Sequence, residues 1–170
     1  VILSGFGYLH ALGLQPPPGA NGSYLQIATR IIESTFSSAL VHSGTHVLRE
    51  MNEPTAVPVL NLYSGGPGAD GLQFKSVLIR HLRYFIDAAS RLPQAAMDTR
   101  RYKGLIRENA DSIWDRAACS ESLATSPGTT YAVPVLFGDL WRGPCSWSFG
   151  GPTATTQTAA IDVFTAASAF

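Results

Sequence analysis

Four histidines, two cysteines and one glycine-rich run are the residues of this chain whose types invite a chemical reading. His42 and His46 are four apart, the separation that puts two imidazoles on one helical face for a metal, but the Ser43-Gly44-Thr45 between them is poor helix. His10 and His81 have no partner at ligand spacing, so the residues predict neither a metal nor a cofactor site. Gly65-Gly66-Pro67-Gly68 lacks the Lys-Ser/Thr and the strand-to-helix setting of a phosphate loop and reads as a connection. Ser4 sits in no nucleophile elbow. Cys119 and Cys145 lie in or beside a loop spanning 119 to 152, where a bridge closing the loop and two free buried thiols are both open readings. Asn21-Gly22-Ser23 is an acceptor sequon for N-glycosylation on a turn just before a helix, which fits the secretory pathway.

The elements that must position these residues are helical. Ile2, Leu3, Phe6, Leu9 and Leu12 recur at helical spacing over 2–12 and Gly13 closes the segment. Ser23 with Gln26 makes a capping box for a second helix to about Leu40, striped by Leu25, Ala28, Ile31, Ile32 and Phe36. Short β-rich pieces at 46–50 and 57–63 predict a small hairpin or paired loop, with Pro58 limiting the second to an edge. A long helix follows over 72–90, with Phe74, Leu78, Leu82, Phe85, Ile86 and Ala89 on its apolar face, and Pro93 ends it. Asp98 is the expected N-cap of a fourth helix to Arg116, whose buried stripe is Tyr102, Leu105, Ile106, Asn109, Ile113 and Ala117. Residues 131–137 read as extended, and a last, Ala-rich helix starts near Thr153 or Ala154.

Composition narrows the partners. The 170 residues carry twelve basic and twelve acidic side chains, so the excess of cations that binding to nucleic acid or an anionic membrane requires is missing. No apolar run reaches the roughly 18 residues of a membrane span. At 45% hydrophobic and 14% charged, the chain can bury enough apolar surface to fold. The helices at 2–12, 72–90 and 154–170 are apolar on more than one side and those at 23–40 and 98–116 on one, the pattern of inner and outer helices in an all-α toroid with short β pieces in its loops. The apolar first residues and the unfinished last helix are expected of a fragment.

Seven blocks, in order, resemble glycoside hydrolase family 76, the α-1,6-mannanases and their cell-wall transglycosylase relatives. Gln73-Phe74-Lys75-Ser76-Val77-Leu78-Ile79-Arg80-His81-Leu82 is similar to the family's "FKGIFVRHL" helix, and Val1-Ile2-Leu3-Ser4-Gly5 to its "QGVILGG" helix. Tyr24-Leu25 with Ala28, Val47-Leu48-Arg49-Glu50, Asn109-Ala110-Asp111-Ser112-Ile113-Trp114, Leu140-Trp141-Arg142-Gly143-Pro144 and Thr156-Gln157-Thr158-Ala159-Ala160-Ile161-Asp162 resemble later blocks. The resemblance implies that residues 1–170 are a single fragment, about the C-terminal half of an (α/α)6 toroid, secreted or cell-wall associated. It also implies a retaining glycosidase needing two carboxylates roughly 5 to 5.5 Å apart. The family's consecutive aspartates have no counterpart here, since no Asp-Asp, Asp-Glu or Glu-Glu pair occurs, and no catalytic residue is assigned.

The resemblance offers four residues for sugar contact, each with a plainer alternative. Glu50 is a pocket carboxylate or a solvent-facing acid beside Arg49. Lys75, on the face of Ile79, Leu82 and Ile86, is a site residue or a snorkelling stem. Trp141, like Trp147, stacks on a sugar ring or anchors its loop. Gln157 bonds in the pocket or at a helix terminus. Asp111 and Trp114 read as structural, and Arg80 as part of a solvated face with Arg83 and Asp87. The expected partner is α-mannan or a mannose oligosaccharide, with self-association through exposed inner helices. The expected parent is an α-1,6-mannan endo-hydrolase or a mannan transglycosylase; a non-catalytic carbohydrate-binding or structural remnant, and a protein-binding helical scaffold, are the rivals.

Overall fold

The computed structural model describes residues 2–50, 53, 73–91, 98–119, 135–145 and 152–170. They are mostly helical: α1 Ile2–Ala11, α2 Tyr24–Phe36, α3 Phe74–Ser90, α4 Arg100–Arg116 and α5 Ala154–Ala167, with two short strands, β1 Ala118–Cys119 and β2 Leu136–Phe137. The all-α class is as the apolar periodicity predicts. The proposed 57–63 strand, Gly65–Gly68, Pro93 and Trp147 lie outside the described residues.

The helix ends follow local chemistry. Gly13, at φ +73°, ends α1 by donating to the His10 carbonyl while Leu14 donates to that of Leu9, a left-handed stop that only glycine adopts freely. The Ser23–Gln26 box caps α2 as predicted, and Thr153 with Thr156 makes a second box on α5. Two boundaries differ from expectation. Helix α2 stops at Phe36 because Ser37 and Ser38 turn their hydroxyls onto the Glu33 and Thr35 carbonyls. The N-cap of α4 is Thr99, and Asp98 instead accepts from the backbone N–H and guanidinium of Arg100.

Helix α3 lies between α1 and α5; α2 packs on α1, and α4 on α5 and α3. Ile79, Leu82, Phe85 and Ile86 fill the middle of α3 and are fully buried. Helix α1 approaches closely because Gly7 faces it: a Cβ there would stand 3.2 Å from Ala88 Cβ and 3.3 Å from Phe85. Ala159, Ala160, Val163 and Ala166 bring α5 in on the other side. The predicted stripe of α4 is buried in full, but Ile31 of α2 and Phe74 of α3 are exposed rather than core.

Polar contacts fix the pairings. Ser4 Oγ and His81 Nδ1 are 2.8 Å apart between α1 and α3, and Glu33 of α2 takes hydrogen bonds from Arg101 and Tyr102 of α4. Arg83 and Asp87 form the expected pair at 3.6 Å, whereas Arg80 reaches across to Asp162 of α5 at 2.8 Å. Leu48 bridges antiparallel to Val41, through a tight turn in which His46 has φ 53°, and the 57–63 piece expected to pair with 46–50 lies outside the described residues. Residues 135–137 are extended as predicted, and β2 pairs antiparallel with β1 through Ala118–Phe137 and Cys119–Leu136.

Candidate functional site

Helix α3 begins without a side-chain cap of its own, so the backbone N–H groups of its first turn need acceptors from elsewhere. Glu50 supplies one. Its Oε1 accepts the Lys75 backbone N–H at 2.8 Å from 25 residues upstream, placing a carboxylate at the positive end of the helix dipole. Glu53 folds back on the same turn: its N–H donates to the Glu50 carbonyl, and its Oε1 accepts the Glu50 N–H at 3.1 Å.

The Lys75 side chain closes the arrangement. Its Nζ donates to Glu53 Oε1 and, at 2.6 Å, to the Asp139 carbonyl, and stands 3.3 Å from Asp139 Oδ1. The same ammonium lies 4.9 Å from the centroid of the Trp141 ring, within cation–π range. Trp141 is held from behind by Ser112 of α4, whose hydroxyl donates to the Trp141 carbonyl at 2.8 Å. Glu50, Glu53, Lys75, Asp139 and Trp141 are all buried, at 1 to 8% exposure, so two carboxyl groups meet one ammonium out of water while a third, that of Glu50, caps the backbone of the same lysine. Burial pushes both the Glu50 and the Glu53 carboxyls up from the ordinary carboxylate value, and the neighbouring Lys75 only partly offsets this.

Three of the four residues singled out for sugar contact therefore meet in one network, but not in the form expected. Glu50 is neither a solvent-facing acid nor an open pocket group. Lys75 does not snorkel, because its ammonium itself is enclosed. Trp141 is 1% exposed, with the Lys75 ammonium over its ring, and offers no open face for stacking. Gln157 stands apart and spends both ends of its amide on Phe137, accepting from its N–H at 3.1 Å and donating to its carbonyl at 2.8 Å. That is the helix-end alternative, here clamping β2 to α5.

Glu53 and Asp139 were not anticipated. Asp139 carries a signal, an acid set in the apolar run Val135-Leu136-Phe137-Gly138-Asp139-Leu140-Trp141 of a chain with few charges, and Glu53, between Asn52 and Pro54, carries none. Cys119 and Cys145 are bridged, with Cα atoms 5.1 Å apart. Asn21 is exposed beside Gly22, as a glycosylation acceptor must be, and its carbonyl accepts from Arg30. Trp114, read as structural, is 58% exposed and leans on Phe137 and Phe164 with ring centroids 6.0 Å apart in each case. His42 contacts Thr45 and His46 pairs with Glu108, and the described residues hold no group of three or more His, Cys, Asp or Glu fit for a metal ion. A groove of about 430 Å³ between the end of α2, the 37–46 turn and α4 contains none of the network residues. No described helix is long and apolar enough to cross a membrane. No family model, curated protein or solved structure matches the chain.

Proposed function

We propose that the chain is part of a secreted or cell-wall-associated α-mannan-active protein with an (α/α)6 arrangement like that of glycoside hydrolase family 76, and that it scaffolds a sugar site without supplying the catalytic pair. The observation that carries this reading is the convergence of three separate blocks of the resemblance. Glu50, Lys75 and Trp141 come from three of those blocks and contact one another directly or through Glu53. The placement of α1, α3 and α5 in a row, with α2 and α4 packed outside, supports the inner and outer order. A hydrolase parent and a transglycosylase parent share this half equally.

The burial of Trp141 and the backbone bonds of Gln157 favour a second reading, a non-catalytic carbohydrate-binding or structural remnant. Calorimetric titration with α-1,6-mannan and with an α-1,4-glucan control separates the sugar-binding readings from the structural one. Saturable heat with mannan alone, and no release of reducing sugar, is the expected result. Heat of equal size with both glycans, or with neither, overturns the sugar-site reading and leaves the structural one. The same proposal expects self-association through the exposed Ile2 and Tyr8 of α1, Leu12 just after it and Ile161 of α5. A single monomer mass in light scattering across the micromolar range would contradict it.

A further inference from the structure

The acceptor sequon Asn21-Gly22-Ser23 runs directly into the start of α2, and its two functional side chains end in opposite situations. Asn21 is exposed, and only its backbone carbonyl is bonded, to the Arg30 guanidinium. Its side-chain amide can therefore carry a substituent without displacing a contact. Ser23 is committed to the helix. Its hydroxyl oxygen accepts the Gln26 N–H at 3.3 Å as the N-cap of α2, and its own N–H donates to Gln26 Oε1 at 2.8 Å. Gly22 between them stands at φ +95°, and a Cβ there would run into Gln26 Oε1, so the box closes only over glycine. A glycan transferase reads both side chains of a sequon, the amide as the group that is modified and the hydroxyl two residues on as the mark of the acceptor. In the folded chain that hydroxyl is turned onto the first turn of α2, and the left-handed Gly22 bends the segment out of an extended course.

We propose that Asn21 is an N-glycosylation site open only before the Ser23–Gln26 capping box closes, so that the folded chain carries a glycan there but cannot accept one. The donor is an oligosaccharide linked through a diphosphate to a polyprenyl lipid. Asn21 Nδ2 bonds to the anomeric carbon of its first sugar, the bond from that carbon to the diphosphate oxygen breaks, the polyprenyl diphosphate leaves with the electron pair, and the amide gives up one proton. Access to that donor rests on the secretory reading of the chain. The interval before closure exists because α2, at 13 residues, is marginal as an isolated helix and takes its stability from packing. Part of that packing arrives late: the hydrogen bonds to Glu33 come from Arg101 and Tyr102, 68 and 69 positions further on. Until then the Ser23 hydroxyl is free to be read.

The test presents the whole chain to the transferase in two states. In one, the chain is translated into microsomes behind a supplied, cleavable secretion signal; in the other, the purified folded chain is given to solubilised oligosaccharyltransferase with its lipid-linked donor, an unstructured Asn-Gly-Ser peptide serving as activity control. The nascent chain is expected to gain one glycan, removable by endoglycosidase and absent from Asn21→Gln. The folded chain is expected to be modified about tenfold less or lower, because only local opening of the helix start exposes Ser23. Gln26→Ala removes half of the box at an exposed position and should raise modification of the folded chain several-fold, whereas Gln26→Glu keeps the box and should leave it low. An unmodified nascent chain overturns the site, and because the secretion signal is supplied, that result says nothing of where the parent protein resides. Equal modification of nascent and folded chains, or a folded Gln26→Ala chain as refractory as the wild type, overturns the role given to the capping box.

Discussion

At Lys75 a single side chain answers to two carboxylates, a carbonyl and an aromatic face, so its removal leaves buried negative charge without a counterion. Lys75→Met is expected to cost about 3 to 5 kcal/mol at pH 7.5, and less at pH 5, as measured by urea denaturation. Tyr102 offers a second measurement. Burial, and then its hydrogen bond to Glu33, push its phenol up to about 12. Its contribution to stability is therefore intact below about 10, the ordinary phenol value, and is lost as pH climbs toward the folded value. In alkaline difference absorbance one tyrosine should ionise near 12, and Tyr102→Phe should abolish that step at a cost of about 1 to 2 kcal/mol. At this scale the sequence was legible where a residue is out of place on its element. Lys75 on an apolar helical face and Trp141 among glycines and prolines stand out, and both belong to the network. Glu53 does not, and Asp139 shows only as an acid in an apolar run, because their common partner Lys75 is 22 and 64 residues away.

Between elements, the two glycines of α1 do opposite things. Gly7 is in contact with α3, and Gly5, two residues earlier, has nothing within 4 Å of the position its Cβ would take. Gly7→Leu should force α1 off Phe85 and Ala88 and cost about 1 to 3 kcal/mol. Gly5→Ala should be neutral or should stabilise by up to ~1 kcal/mol through helix propensity alone. Thermal melts of the two variants, side by side, check the assignment of the packed face. The helices themselves were readable because burial on one side forces a 3.6-residue repeat that survives in the sequence, as in Tyr102, Leu105, Ile106, Asn109 and Ile113. Which helix lies on which was not. The Arg80–Asp162 pair, the Gln157–Phe137 clamp and the β1–β2 pairing depend on neighbours brought together only by folding, and two-residue strands are too short to show an alternation.

For the molecule as a whole, the Cys119–Cys145 bridge is the one covalent constraint among the described residues, closing a separation of 26 residues across the paired strands. Replacing both cysteines by serine should lower stability by about 3 kcal/mol, seen as an earlier urea midpoint, in a chain whose total stability is of the order of 5 to 15 kcal/mol. Asn109 joins distant parts without a covalent bond. It is fully buried in α4, accepting the Leu48 N–H at 2.8 Å through Oδ1 and donating to the Leu105 carbonyl at 2.9 Å through Nδ2. The Val41–Leu48 turn closes on its own hydrogen bonds, from the His42 N–H to the Val47 carbonyl and from the Arg49 N–H to the Leu40 carbonyl, whereas the Leu48 amide is satisfied only by residue 109, 61 positions later. In deuterium exchange the Leu48 amide should carry the protection of α4's docked face, and Asn109→Ala should open that one amide by orders of magnitude before the helix beneath it begins to exchange.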